Sequence, residues 1–192
     1  MAVGDCERAF ARAAAAAGIP LVRQSEAWLN QRGHLGLPVE ADAARSALER
    51  IFFALGGDAS AQAQKRSTRL RGDFLHAETG TLIEVDEVQH FTSHRLLCLD
   101  PYPGDALLGF DVQRYRELCR SWSARADKYR TAKAAVAFGP GGRQRQRAYH
   151  DALRDLAAPA MGGPPVVRAD AVDGDGAAAF SRAYALLKHL SS

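Results

Sequence analysis

No stretch of the 192 residues approaches the roughly 18 uninterrupted apolar residues that a membrane-spanning helix requires, so no membrane partner is expected. Cysteine is scarce. Cys6, Cys98 and Cys119 are odd in number, widely spaced and never arranged as C-x-x-C, which argues against a disulfide framework and against a zinc site. They suit a reducing, cytoplasmic setting. The nucleotide-binding loops are missing too. The glycine-rich run "FGPGGRQRQR" (residues 138–147) matches neither G-x-x-x-x-G-K-[ST] nor G-x-G-x-x-G, so it reads as a basic loop suited to phosphate backbone contact. The alanine-rich N-terminus is interrupted by Asp5, Glu7, Arg8 and Arg12, so it reads as an amphipathic helix and is a poor secretory signal.

What is present is a globular composition, with 47% hydrophobic and 24% charged residues, in a length suited to one domain with or without an appendage. The net charge of +3 is mild, but its distribution is uneven. Residues 114–147 hold ten basic side chains against Glu117 and Asp127. Such a block points either to a polyanion partner or to a solvated helix face.

Hydrophobic spacing predicts helices over residues 5–17, 24–31 and 42–55, the last capped by Asp42, striped by Ala44, Leu48, Ile51, Phe52 and Leu55, and closed by Gly56-Gly57. Two strands, residues 68–76 and 81–88, follow with a turn between them. Beyond a Pro- and Gly-containing stretch, a helix is expected from Val112, a strand over "KAAVAF", a helix over residues 143–156, a short strand at Val166, Val167 and Arg168, and a last helix from Asp175 with Phe180, Ala183, Tyr184, Leu187 and Leu190 inward. The order is that of an α/β fold.

The second strand, "TLIEVDEVQHF" (residues 81–91), begins as a buried strand and then places Glu84 and Asp86 two apart, on one face. Two adjacent carboxylates repel unless something positive joins them. A turn with an even residue count centred on Thr79 and Gly80 pairs Asp73 with Asp86 and Leu75 with Glu84, which adds Asp73 to that face. Glu49, at the edge of its helix stripe, would approach from the preceding helix. An oxygen-rich group of this kind suits a hard cation such as Mg2+ (or Mn2+), which would supply a Lewis acid for phosphodiester chemistry. Gln89 and His90 follow directly, and a neutral histidine there could take a proton from water. The competing reading makes Glu84 and Asp86 ion-pairing residues on a solvated face, opposite Arg69 and Arg71.

These residues resemble the PD-(D/E)XK nuclease superfamily, in the branch similar to very-short-patch repair endonucleases, their uncharacterised bacterial relatives and some phage homing endonucleases. The resemblance is carried by "SALERIFFAL", "RGDFLH" and "LIEVDEVQHF", and by "HDALRDLAAPAMGGPPVVRAD" with Asp151, Arg154, Asp155, Val167 and Arg168. It implies a restriction-endonuclease-like core, a small mixed sheet flanked by helices, over residues 42–192. A helical extension would occupy residues 1–41 and a basic helical insert about 96–142. It further implies that Asp73 and Glu84 ligate the metal with help from the Val85 carbonyl. Asp86 would bind or orient metal water, Glu49 would complete the outer shell, and Gln89 or His90 would position the attacking water. Arg114, Arg116, Arg120, Arg143, Arg145, Arg147 and Arg154 would hold nucleic acid, DNA foremost, with steep salt dependence. Many members carry lysine where this chain has Asp86. The alternative is a non-catalytic nucleic-acid-binding or assembly module on the same fold.

Overall fold

The alternation of side chains along residues 81–86 divides the interior in two. Ile83 and Val85 pack on one face of a small sheet and Leu82 on the other. The computed structural model describes residues 4–23 and 25–190, the side chains of residues 189 and 190 excepted. Its sheet has four strands, β1 (Leu21–Val22), β2 (Phe74–His76), β3 (Thr81–Asp86) and β4 (Val167–Asp170), in that spatial order. β1, β2 and β3 pair antiparallel, and β4 joins β3 parallel, so the sheet is mixed. Between β3 and β4 lie α4 (Ser93–Cys98), α5 (Val112–Ala126) and α6 (Arg143–Ala160), long enough for the crossover that a parallel pair needs.

One sheet face is covered by α1 (Asp5–Ala16) and α7 (Gly176–Leu190). Cys6, Phe10 and Ala14 recur every four residues along α1 and meet Ala179, Phe180, Ala183 and Leu187 over Phe74, Ile83, Val85, Val167 and Ala169. The segment expected as a helical extension is therefore part of this core, and β1 adds an edge strand. The other face is covered by α6 and α2 (Asp42–Ala54), followed by the short α3 (Ala59–Ala63). Leu48, Ile51 and Phe52 of α2 pack on Tyr149 and Leu153 of α6, with Leu75 and Leu82 beneath. A smaller cluster of Phe91, Leu99, Tyr115, Leu118 and Cys119 seats α5 beside α4. The architecture is mixed α/β, a small sheet between helical layers. Among the described residues no helix is long and apolar enough to cross a membrane, and all three cysteines are free and buried.

Several local expectations shift. Gln24 lies outside the described residues, and residues 25–31 are irregular, with Asn30 bridged to Arg69. The tripeptide around Leu29 has one buried apolar side chain and is held by backbone pairing. Asp42 is the first helical residue of α2 and bonds Arg45 at 2.8 Å; the cap position belongs to Ala41. "KAAVAF" makes only a bridge, Ala135 to Gly139. The predicted inward position of Leu190 falls on a side chain outside the description.

Candidate active site

The β2–β3 turn has four residues, 77–80, closed by Gly80 at φ 72° with its N–H bonded to the His76 carbonyl. Leu75 therefore faces Leu82, a register two residues from the expected one. Because the shift is even, face membership survives, and the register carried one residue further sets Asp73 opposite Glu84. Side-chain bonds lock that pairing. Asp73 Oδ2 accepts the Val85 N–H at 2.8 Å, and Glu84 Oε1 accepts the Asp73 N–H at 3.3 Å. A Cβ at Gly72 would stand 2.8 Å from Glu84 Oε1, so a side chain there would displace the carboxylate.

Asp86 and Glu84 share a face of β3 but not an environment. Asp86 is fully buried. Arg168 of β4 reaches both its oxygens, at 3.1 and 2.9 Å, Tyr115 of α5 donates at 2.8 Å, and His90 Nδ1 lies 3.1 Å away. Arg168 also bonds Asp155 at 2.7 Å, and Asp155 accepts from Arg95 and from Tyr102. His90 Nδ1 is shared with Asp151 at 3.2 Å. Two carboxylates at one ring nitrogen require the proton there. Burial disfavours the imidazolium, but Asp86 and Asp151 outweigh it and raise the His90 pKa. Asp151 moves the other way: burial opposes its ionisation, but His90 and Arg168 hold it well below the usual carboxylate range. Three carboxylates thus meet two guanidiniums and an imidazole whose protonation they favour, a balanced group that reaches the cleft through His90 and Asp151.

Asp73 and Glu84 are short of that balance. Among the described residues the only cation paired with either is Arg154 of α6, whose Nε lies 3.2 Å from Glu84 Oε1. That distance makes an ion pair without the alignment of a hydrogen bond, since Arg154 Nε has no hydrogen-bond partner. Two carboxylates face one guanidinium. Burial pushes the Glu84 pKa up to about 8, against the pull of Arg154 and with the push of Asp73. Burial likewise raises Asp73 to about 6, against the Val85 hydrogen bond. Both line a cleft of about 550 Å3, together with Gln31, Thr68, Arg69, Arg71, His90, Arg143, Gln146, Arg147, His150, Asp151 and Arg154. An acidic floor lies under a rim of guanidinium groups.

The cleft gathers only part of the expected set. Asp73, Glu84, His90, Arg143, Arg147 and Arg154 line it. Asp86 is withdrawn behind Arg168. The Val85 side chain is in the opposite core, and its N–H is bonded to Asp73. Gln89 binds Glu87 through its side chain at 2.7 Å and offers only its carbonyl, to Arg147. Glu49 is exposed on α2, outside the cleft. Arg145 caps the carbonyls of Phe138 and Pro140, and Arg116 pairs with Asp100. Arg114 and Arg120 are exposed on α5 and line no part of the cleft. Arg69 and Arg71, expected as ion-pair partners of the strand carboxylates, stand on the rim instead.

Among the described residues no group of three or more His, Cys, Asp or Glu side chains is arranged to hold a metal ion. The set of Asp73, Glu84, Val85 and Asp86 does not fit as a cage, because Asp86 already has its cation. The pair Asp73 and Glu84 fits a looser site. Mg2+ commonly takes one or two carboxylates and completes its shell with water and substrate phosphate, and these two are accessible from the cleft and lack one positive charge.

Sequence reasoning passed over His150. It is 8% exposed, its Nε2 has no hydrogen-bond partner, and it lines the cleft. Arg143, Arg147, His150 and Arg154 are spaced 4, 3 and 4 residues apart in the sequence, one helix face, and that spacing was the available signal. A model of a family of unknown function (DUF7255) matches residues 50–141, which span the carboxylate hairpin and α5 but stop before α6. No curated protein and no solved structure matches the chain.

Proposed function

We propose that this cleft hydrolyses phosphodiester bonds in nucleic acid, DNA foremost, as a Mg2+- or Mn2+-dependent nuclease of restriction-endonuclease-like architecture. One observation carries the reading: a carboxylate pair short of one positive charge lies at the floor of a cleft rimmed by arginines. Such a floor attracts a cation and such a rim attracts phosphate. Asp73 and Glu84 would hold the ion, which when bound supplies a Lewis acid and acidifies a coordinated water. Arg69, Arg71, Arg143 and Arg147 hold the backbone. Arg154 is the resident cation beside Glu84, from α6, where many relatives of the resembled superfamily use a strand lysine. His90, its ring fixed by Asp86 and Asp151, serves as a proton donor or phosphate contact, because its neighbours favour the imidazolium.

A second reading has its own support. The withdrawal of Asp86 and the lack of a larger ligand group fit a module that binds nucleic acid without cutting it. Plasmid cleavage with Mg2+ and with Mn2+, comparing wild type with Glu84→Gln from matched preparations, separates the two. Metal-dependent cleavage should fall at least about a hundredfold in the variant. Since an ion must displace the Glu84 proton, thermal stabilisation by Mn2+ should grow as pH rises toward 8. Binding of DNA with neither cleavage nor a metal response would establish the module instead.

A further inference from the structure

The cleft has two chemically distinct ends. At one, Asp73 and Glu84 repel phosphate until a cation is present. At the other, α6 begins at Arg143 and presents Arg147 and His150 in the next two turns. Two buried nitrogens of cleft-lining residues stand there without hydrogen-bond partners, Arg143 Nε and His150 Nε2. Lys65 is close enough for its charge to bear on His150. A buried donor without an acceptor is costly, and two at one end of a cleft are a deficit that an oxyanion removes. Guanidinium groups and the start of an eighteen-residue helix both favour that anion.

We propose that Arg143, Arg147 and His150 form a second phosphate subsite, which takes the phosphate of a nucleic-acid strand adjacent to the one at Asp73 and Glu84, with His150 Nε2–H as its buried donor. The assignment of the phosphate to nucleic acid rests on the nuclease reading; the oxyanion site itself does not. The groups around His150 are Arg154, Lys65, Asp151 and Arg143, and burial with that mostly cationic surrounding lowers its pKa to about 3. The imidazole is therefore neutral at physiological pH and donates one proton without adding a charge. The subsite anchors the strand before any cation arrives, which the acidic floor cannot do.

The test has two arms on the full chain. In metal-free protein, long-range 1H–15N spectra of the imidazoles are followed during titration with inorganic phosphate. The His150 resonance, assigned by its loss in His150→Gln, should shift and saturate. In parallel, fluorescent oligothymidylate, with and without a 5′-phosphate, is bound in EDTA. His150→Leu should weaken binding about tenfold, or about 1.4 kcal/mol, whereas His150→Gln, which keeps a donor, should stay within about twofold. A gain from the 5′-phosphate assigns a terminal phosphate, and equal affinity assigns an internal one. An unmoved His150 resonance, or equal loss in the Leu and Gln variants, would overturn the subsite. Should His150→Leu not fold, the wild-type titration still decides. A shifted resonance without binding of any nucleic acid would uphold the oxyanion site and sink the nuclease reading. Cleavage with an unmoved resonance would do the reverse.

Discussion

Glu84 and Asp86 stand two residues apart on one face of β3, both almost wholly buried, at 4% and 0% exposure, yet they have opposite fates. Asp86 meets one guanidinium nitrogen across both its oxygens, a phenol and an imidazole. Glu84 meets one guanidinium, which also serves Asp151, while Asp73 beside it has no ion pair among the described residues. The same strand face therefore carries a neutralised interior and an unsatisfied cleft floor. What separates them is positive charge in contact: Arg168 of β4 and His90 meet Asp86, whereas among the described residues Arg154 of α6 is the one cation paired with Glu84, and Arg168 acts on it without a contact. Burial alone does not tell the two apart; the charge balance does.

The largest effect should come from the sealed side. Arg168→Met leaves Asp86 and Asp155 buried beside too little charge, and breaking such a pair costs about 3–5 kcal/mol. Urea denaturation should show that loss, and a loss below about 1 kcal/mol would mean that the network does not hold β4 to β3 and α6. A middle-sized effect belongs to the open side. The folded-state pKa of Glu84 is raised from 4.5 to about 8. Between those values the folded chain binds the proton more tightly than the unfolded chain, so the stability Glu84 contributes is full below 4.5 and is lost as pH rises through about 8. Relative to wild type, Glu84→Gln should gain melting temperature progressively across that window, by about 4 °C at its upper end, with Mn2+ narrowing the gap. A difference that does not vary with pH would show Glu84 to be as well neutralised as Asp86. The smallest effect is a contrast. Glu49→Gln and Arg120→Gln, both exposed and outside the cleft, should change stability by less than about 0.5 kcal/mol and leave cleavage unchanged.

Much of this was legible in sequence. The parity of a strand hairpin is robust to an even slip, so Asp73, Glu84 and Asp86 were placed on one face although the turn centre was off by one residue. Period 3.6 located α2, α5, α6 and α7. What periodicity could not show is where opposite charge comes from. Arg168 lies 82 residues from Asp86, and Tyr115 comes from a segment that read as an insert. On α6 the apolar stripe of Tyr149, Leu153 and Leu156 marks one buried side, whereas Asp151, Arg154 and Asp155 are buried as well. Polar residues read as outward until their partners are known. His150 was missed for the same reason, because a solitary histidine says nothing about the three turns of arginines that share its face.

The position of α6 has a consequence for anyone who would redesign this molecule. Arg154 and Asp155 are neighbours in sequence, but one serves the cleft and the other the interior, with Asp151 touching both through His90, Arg154 and Arg168. The helix is at once lining and strut. On the proposed function, specificity would be tuned at Arg69, Arg71 and Arg147, whose side chains carry no part of the buried network, and those positions are the free dials. A change at Arg154 or Asp151 alters the frame as it alters the tool, and its effects on ligand and on stability will arrive together.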